Sequence, residues 1–223
     1  MPDPHFVHAA FSAIAERYVT ANHLLSMGCD LLWRQRAVQV VAEWKPRRLL
    51  DIATGTGDLA LAVERALPET EVLGTDFCRP MLEVARRRGL RRVLEADALH
   101  LPLDSGSFDA ATVAFGLRNM ADYTAALREF RRVLRPGGHL LVLDFSLPSG
   151  LLRPLYRAYL HRILPSLAGW VTGRSEAYQY LGESIEAFPR GEAFLDLLRS
   201  AGYTSPVCLP LHMGVASLYT AEC

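Results

Sequence analysis

A glycine-containing turn near residue 55 is the part of the sequence best suited to bind a small ligand. It reads DIATGTGD at 51–58 and joins an apolar segment to a helical pattern. Glycines such as Gly55 and Gly57 let the backbone approach a ligand that a Cβ would repel. Nineteen residues after Gly57, Asp76 ends a second apolar segment, where its carboxylate can accept hydrogen bonds from both ribose hydroxyls. Together these signals predict a site for an adenosyl cofactor.

Two carboxylates at this turn help to choose between adenosyl cofactors. Gly55, Gly57 and Ala60 also satisfy the relaxed dinucleotide pattern G-x-G-x-x-[GA], so a nicotinamide or flavin oxidoreductase is a competing interpretation. Asp51 and Asp58, however, place negative charge on both sides of the turn, which is unfavourable near a pyrophosphate. That charge is compatible with the cationic sulfonium and ammonium of S-adenosylmethionine. The turn therefore favours S-adenosylmethionine.

The elements that position these residues alternate between strands and helices, which is typical of a parallel sheet covered on both faces. Strands are predicted at 47–53, 71–76, 91–97, 108–115 and 139–146, and helices at 58–69, 80–88, 122–135 and 190–200. Asp122 is the predicted N-cap of the third of these helices, and Pro136-Gly137-Gly138 is its predicted stop signal. A helical segment at 151–185 is placed where it can cover a site, and 203–211 with 215–222 are predicted to form a hairpin.

A third acidic residue extends the pattern. Asp97 ends the third predicted strand, within EADALHLP at 95–102, where its carboxylate can accept a hydrogen bond from an adenine amino group. This block resembles the class I S-adenosylmethionine-dependent methyltransferases. The resemblance implies an α/β, Rossmann-like fold with a seven-stranded, mostly parallel sheet, a C-terminal antiparallel hairpin and helical lid insertions.

The string FGLRN at 115–119 narrows the resemblance, because it is similar to the hallmark of the ubiquinone/menaquinone biosynthesis C-methyltransferase family. Further similar strings lie at 14–18, 22, 25–26, 28, 33–34, 51–59, 74–77, 81–82, 132–138, 143–148, 180–181, 183–185 and 188–189. The resemblance thus covers nearly the whole chain. One departure is Val19, where the family usually has Asp after the Arg-Tyr pair.

The family resemblance implies C-methylation of a prenylated quinol ring by S-adenosylmethionine, with demethylmenaquinol converted to menaquinol as the favoured reaction. A benzoquinol of ubiquinone biosynthesis and another small aromatic or lipid acceptor remain alternatives. A non-catalytic binding module is a further alternative, for which Val19 is the only support. A quinol becomes nucleophilic at the ring carbon beside a hydroxyl once that hydroxyl loses its proton. No metal is needed for this reaction.

Roles for individual residues follow from this chemistry and from the resemblance. Arg118 follows the fourth strand and could stabilise the developing phenolate, and Asn119 could bind a quinol oxygen. The alternative for both is a structural turn that hydrogen-bonds backbone carbonyls. The predicted cofactor-binding residues are Asp51, Gly55, Thr56, Gly57, Asp76, Phe77, Asp97 and Ala98, and the predicted substrate-binding residues are Tyr18, Asn22 and Tyr178.

Composition limits the remaining interpretations. The 223 residues, half of them apolar, suit one methyltransferase domain, with a helical lid at 1–45, a cofactor-binding core at 46–148, a helical roof at 149–189 and a helix with the hairpin at 190–223. Lys plus Arg and Asp plus Glu are 24 each, so charge gives no reason to expect a nucleic-acid partner. Four scattered cysteines suggest neither a zinc site nor disulfides.

The predicted location is the cytoplasm, with peripheral contact at the inner face of the membrane as a further interpretation. No window of the sequence is apolar enough to span a bilayer, and the N-terminus lacks the pattern of a secretory signal. The helical pattern at 151–164 carries arginines and an apolar face that could lie against lipid headgroups, although a face turned to the core is the simpler interpretation. The family resemblance also suggests a homodimer.

Overall fold

The computed structural model describes residue 26 and residues 28–163 and 176–223, without the side chains of residues 163 and 176–180. The strands are β1 (Arg48–Ile52), β2 (Glu71–Asp76), β3 (Val93–Glu95), β4 (Phe108–Ala114), β5 (Leu134–Phe145), β6 (Thr204–Leu211) and β7 (Ala216–Glu222). The helices are α1 (Cys29–Trp44), α2 (Asp58–Ala66), α3 (Arg79–Arg87), α4 (Tyr123–Val133), α5 (Leu152–Ala158), α6 (Glu176–Ala187) and α7 (Glu192–Ser200). A π-helical turn (Tyr159–Ile163) and two short 3-10 turns (Leu117–Asn119 and His212–Gly214) complete the assignment.

The seven strands form one sheet in the order β3-β2-β1-β4-β5-β7-β6. The pairs from β3 to β5 are parallel, and β7 is antiparallel to both β5 and β6. The predicted C-terminal hairpin is therefore confirmed as β6 and β7. Chain order reverses between β1 and β4, and in open α/β sheets the crevice at such a reversal is where ligands bind.

Alternating residues of the strands face two separate cores. Leu50 of β1 joins the cluster that contains Phe130 of α4 and Phe194 of α7. Its neighbour Leu49 joins the cluster on the other face, which contains Ala37 of α1 and residues of α2. Because both faces of the strands are buried, the strands appear in the sequence as continuous apolar runs. The sheet is thus a rigid base for the residues at its carboxyl edge.

The junction between α4 and β5 differs from the sequence-based prediction. Asp122 caps α4 as predicted, since its carboxylate accepts hydrogen bonds from the backbone of Thr124 and Ala125. The helix, however, ends at Val133, and β5 begins at Leu134. Its pairing with β4 shifts register between Phe108 and Ala110, and the Pro-Gly-Gly segment lies inside the strand as an irregularity. The helix thus stops two residues before its predicted end, and the Pro-Gly-Gly segment belongs to an irregular part of the strand instead of a loop.

Candidate functional site

A crevice opens at the carboxyl ends of β1, β2 and β4, where the sheet order reverses. The predicted cofactor residues Asp51, Gly55, Thr56, Asp76 and Phe77 line it together. The other described lining residues are Arg34, Ala53, Thr54, Asp58, Leu59, Met81, Ala114, Phe115, Gly116 and Asn119. Three carboxylates and one guanidinium therefore give the described wall a net negative charge. Such a wall fits a ligand with cationic groups, as S-adenosylmethionine has.

Asp51, the penultimate residue of β1, is a buried carboxylate held by neutral donors. The hydroxyls of Thr54 and Thr112 each donate a hydrogen bond to it, at 2.6 Å. Burial raises the pKa of Asp51 from its ordinary value of 3.8 to about 6, because desolvation outweighs the stabilising effect of the two hydroxyls. Asp51 is thus close to its point of protonation near neutral pH, and a cationic ligand beside it would favour the charged form.

Asp76 ends β2 and fastens the glycine turn. One of its carboxylate oxygens accepts a hydrogen bond from the backbone of Gly55 at 2.8 Å, and the other accepts one from Cys78 at 2.9 Å. A carboxylate can accept hydrogen bonds from several donors at once, and two ribose hydroxyls are the donors predicted for Asp76. Gly57 lies in the same turn at a φ of 82°, where it is the residue before α2. Its role is to let the chain turn, since only glycine adopts that φ readily.

Two residues other than glycine also adopt a positive φ at this site. Ala53 has a φ of 51° and Phe115 has a φ of 60°, and they follow β1 and β4 respectively. The turns are in close contact, because a Cβ on Gly116 would lie 2.6 Å from the Cβ of Ala53. Positive φ is uncommon for residues other than glycine and is concentrated at functional sites. Sequence reasoning missed Ala53 as part of the site, because nothing in its type reports its backbone conformation.

The predicted adenine-side residues lie beside this crevice rather than in its described wall. Asp97 and Ala98 follow β3, and the side chain of Asp97 is 62% exposed. Its carboxylate accepts a hydrogen bond from the backbone of Leu99 at 2.9 Å. Asp97 lies beyond the end of the strand next to β2, on the Asp76 side of the crevice. Its predicted contact with adenine stays a prediction.

Arg118 is buried in the 3-10 turn after β4, and its guanidinium is paired within the protein. One terminal nitrogen donates to the carboxylate of Asp144 at 2.6 Å and to the carbonyl oxygen of Phe115 at 2.6 Å. Burial raises the pKa of Asp144, and the charge of Arg118 opposes that shift. Asn119 does line the crevice, with its amide nitrogen 3.4 Å from the carbonyl oxygen of Phe115. Among the predicted catalytic pair, only Asn119 belongs to the described wall.

A tyrosine of the roof lies near this ion pair. Tyr156 of α5 packs with Phe145 and Leu147 in a small apolar cluster, and the charge of Arg118 is close enough to lower the pKa of its hydroxyl. Burial raises that pKa by more, so the hydroxyl keeps its proton at neutral pH. Tyr156 can therefore donate a hydrogen bond but is poorly suited to remove a proton.

The predicted substrate residues can be located only in part. Tyr18 and Asn22 lie outside the described residues, as does Val19. Tyr178 belongs to α6, and its side chain is not among those that the structure describes. Two residues that sequence reasoning left without a role are Arg34, which lines the crevice from α1, and Asp144. A carboxylate inside the otherwise apolar run at 140–145 was the available signal for Asp144.

Comparison with known proteins agrees with this geometry. A model of the ubiE/COQ5 methyltransferase family matches residues 2–222. The chain is 51% identical over 218 residues to a demethylmenaquinone methyltransferase of Thermus thermophilus, covering 95% of this chain and 99% of that protein. It is 40% identical over 225 residues to a ubiquinone/menaquinone biosynthesis C-methyltransferase of Bdellovibrio bacteriovorus, covering 98% and 96% of the two chains.

The fold is shared with solved methyltransferases. A crystal structure of an S-adenosylmethionine-dependent methyltransferase from Thermotoga maritima superposes with a TM-score of 0.66 at 22% identity, covering 94% of this chain and 97% of that one. The predicted fold class, the predicted family and the predicted cofactor, S-adenosylmethionine, are confirmed. This chain belongs to the ubiE/COQ5 methyltransferase family.

Proposed function

We propose that this chain methylates a ring carbon of a prenylated quinol and that its acceptor is demethylmenaquinol. The observation that carries the proposal is the 51% identity to the Thermus thermophilus demethylmenaquinone methyltransferase, which extends over nearly all of both chains. A benzoquinol acceptor is the second candidate, because the Bdellovibrio bacteriovorus relative is named for both ubiquinone and menaquinone biosynthesis. The contacts of the crevice support the methyl donor more strongly than they support either acceptor.

On the donor side, the residues of the turn after β1 would hold and orient the cofactor. S-adenosylmethionine supplies an electrophilic methyl group on a sulfonium. Asp76 would bind the ribose hydroxyls while it keeps Gly55 in place. Asp51 would place a negative charge near the cationic end, in a buried position where electrostatic attraction is weakly screened. Fixing the methyl in line with the acceptor carbon removes much of the entropic barrier to transfer.

On the acceptor side, Asn119 and Arg118 would bind the quinol oxygen beside the reacting carbon. Asn119 supports this role by its place in the crevice wall next to Phe115. Arg118 supports it through its Nε, which is buried and has no hydrogen-bond partner among the described residues. Its pairing with Asp144 partly neutralises the guanidinium. A single directed N–H donor is therefore better supported than a full positive charge. With Tyr156 held in its neutral form, water is the proposed proton acceptor.

Methyl transfer from labelled S-adenosylmethionine to chemically reduced demethylmenaquinone tests the proposal. The oxidised quinone and a demethylated ubiquinol precursor are assayed alongside. We expect product from the reduced naphthoquinol, little from the benzoquinol and none from the oxidised form, because only the quinol has the nucleophilic ring carbon. Confirmed binding of S-adenosylhomocysteine without transfer to either quinol would show that the acceptor is wrong.

Variants of the turn after β4 test the two residue roles. Asn119→Ala is expected to lower kcat/KM for the quinol by roughly 10- to 100-fold, as for loss of one hydrogen bond to a developing charge. Cofactor affinity should change little. Arg36→Ala is the matched control for Arg118→Ala, since Arg36 is an exposed arginine bonded only to Gln39 in the described residues. A normal rate in Arg118→Ala, with its fold intact, would remove Arg118 from the reaction.

We also propose that α5 and the residue before it contact the membrane surface, where a prenylated quinol resides. Leu151 and Leu155 are 96% and 69% exposed, and Arg153 lies exposed between them. Arg157 is bound to Glu186 at 2.6 Å, so it is a weaker candidate for lipid contact than the sequence suggested. No helix in the described part of the chain is long and apolar enough to cross a membrane.

Sedimentation with anionic liposomes tests this contact. The wild type should pellet with the vesicles, and a Leu151→Ser/Leu155→Ser variant and an Arg153→Ala/Arg157→Ala/Arg162→Ala variant should each bind less. Equal, negligible binding of all three proteins would eliminate the membrane contact. The cytoplasmic location and the homodimer stay predictions, and light scattering on the purified chain measures the second directly.

A further inference from the structure

Arg34 is a buried arginine in the wall of the cofactor crevice. It projects from α1, and its side chain is 9% exposed. Among the described lining residues it is the only positively charged one, and the other charged ones are Asp51, Asp58 and Asp76. Neither the glycine turn nor the FGLRN string points to it. Burial of a guanidinium is costly unless its charge and its N–H donors find partners.

The guanidinium of Arg34 is held firmly on one side. One terminal nitrogen donates to the carboxylate of Asp30 at 2.5 Å, and the other lies 3.8 Å from the carboxylate of Asp58. The guanidinium carbon also lies 5.1 Å from the centre of the Phe115 ring. These contacts fix the plane of the group, so its remaining donors point in set directions.

One donor of this fixed group, its Nε, has no hydrogen-bond partner in the described part of the chain. The Nε of Arg34 is buried and makes no hydrogen bond with any described residue. Buried N–H groups are rarely left unpaired, because they lose their bond to water and gain none in return. An acceptor supplied by a ligand in the crevice would satisfy it.

The position of Arg34 selects one end of the cofactor. Asp76 ends β2, on one side of β1, whereas Arg34 stacks on Phe115 after β4, on the other side. A cofactor with its ribose at Asp76 crosses the glycine turn and brings its amino-acid end toward Arg34. That end carries the one anionic group of S-adenosylmethionine, its carboxylate. We propose that Arg34 binds this carboxylate and so fixes the direction in which the cofactor lies.

The neighbouring charges fit this assignment. Asp58 is held by Arg88 at 2.6 Å and stays beside Arg34 at the start of α2. Asp51 lies near enough for the charge of Arg34 to lower its pKa. The crevice thus places a cation for the carboxylate next to anions for the ammonium and sulfonium. Each charged group at the amino-acid end of S-adenosylmethionine would thus lie near a protein group of opposite charge.

Calorimetric binding of two ligands tests the proposal without any turnover. S-adenosylhomocysteine carries the carboxylate, and its decarboxylated analogue keeps the ammonium but lacks the carboxylate. The wild type should bind S-adenosylhomocysteine roughly 10- to 100-fold more tightly than the analogue, as expected for a charge-assisted hydrogen bond. Arg34→Gln should lower the affinity for S-adenosylhomocysteine by a similar factor. It should change the affinity for the analogue by less than about threefold. The affinity of Arg34→Lys for S-adenosylhomocysteine should lie between those of the wild type and Arg34→Gln, because lysine keeps the positive charge but lacks the planar set of N–H donors.

Arg88→Gln is the matched control. It removes another positive charge bound to Asp58, at a residue outside the described lining. Any effect on affinity should be the same for both ligands. Equal weakening of both ligands by Arg34→Gln would reduce Arg34 to a structural role and overturn the proposal. Equal affinity of the wild type for the two ligands would also overturn it, even if neither Arg34 variant folds.

Discussion

Asp51 and Asp144 occupy equivalent places in two parts of the sheet, yet their surroundings are opposite. Each is the penultimate residue of its strand, β1 or β5, and each is almost completely buried, at 2% and 0% exposed. Asp51 accepts hydrogen bonds from two threonine hydroxyls, which are neutral. Asp144 is paired with the permanent charge of Arg118.

This difference indicates that the carboxylate of Asp51 serves ligand binding, whereas that of Asp144 supports the turn after β4. Neutral donors leave Asp51 without a cation bonded directly to it, and Asp51 faces the crevice where a cationic ligand can come close. Asp144 already has its cation, and through Arg118 it is tied to the carbonyl oxygen of Phe115. The β1 side is therefore built to respond to a ligand, whereas the β5 side holds the turn after β4 in place.

Breaking the ion pair on the β5 side should have the largest effect. Arg118→Met leaves Asp144 buried without its cation, and the free energy of unfolding is expected to fall by about 3–5 kcal/mol in urea titrations. Replacing both residues, as Arg118→Met/Asp144→Leu, should recover most of that loss because no buried charge remains. Equal losses in the single and double variants would mean that the unpaired charge of Asp144 is not the cause of the loss.

A smaller loss is expected where the two sides touch. Gly116→Ala brings a Cβ to 2.6 Å from that of Ala53, so the turns must separate. We expect about 1–3 kcal/mol less stability and a clear loss of methyl transfer. Ala53→Gly in the same chain should restore both. Gly137→Ala is the control, because its Cβ would meet nothing within 4 Å and only its φ of 75° is unfavourable. If Ala53→Gly does not restore stability and methyl transfer, the contact between residues 53 and 116 is not the cause of the loss.

The smallest effect is a pH dependence confined to the β1 side. Burial raises the pKa of Asp51 to about 6, so its charge is present above that pH and is lost below it. Affinity for S-adenosylmethionine should therefore fall about tenfold as pH drops from about 7 to about 5. Asp51→Asn should bind more weakly at neutral pH and lose this part of the dependence. An unchanged slope in Asp51→Asn would assign the titration to another group.

Folding stability should respond to Asp51 in the opposite direction. The pKa of this carboxyl is raised in the folded chain, so the folded state binds the proton more tightly than the unfolded state. The contribution of Asp51 to stability is greatest below its ordinary pKa of 3.8 and is lost as pH rises through about 6. The same burial that makes Asp51 responsive to a cation therefore makes its charged form unfavourable when no ligand is bound.

Sequence patterns predicted the parts of this molecule that depend on local periodicity. The alternation of apolar strands and amphipathic helices predicted the sheet, and the capping role of Asp122 followed from residue type alone. The helix ends just before the Pro-Gly-Gly segment, close to the predicted position, but the segment itself was placed outside the strand because its pairing partners, in β4 and at the C-terminus, are distant in sequence. Residue patterns within a short window carry no information about pairing between strands that are distant in sequence.

The candidate site was predictable to the same extent. Asp51 and Asp76 were found because glycines and strand ends mark them in the sequence. Arg34 and Asp144 were not assigned roles, since an arginine in a helix and an acid in a strand acquire meaning only from what the fold brings beside them. Arg118 was expected at the reacting carbon, and its pairing with Asp144 could not be read from the sequence.

The contact between Ala53 and Gly116 also limits how this sequence can change over evolutionary time. Only one of the two positions has room for a methyl group, and Ala53 carries it despite a φ of 51° that glycine would adopt more readily. A lineage that first replaced Ala53 by glycine could then accept alanine at 116. A lineage that took the steps in the reverse order would pass through a clashing intermediate. The two positions should therefore covary among descendants, and the order of substitution should be nearly fixed.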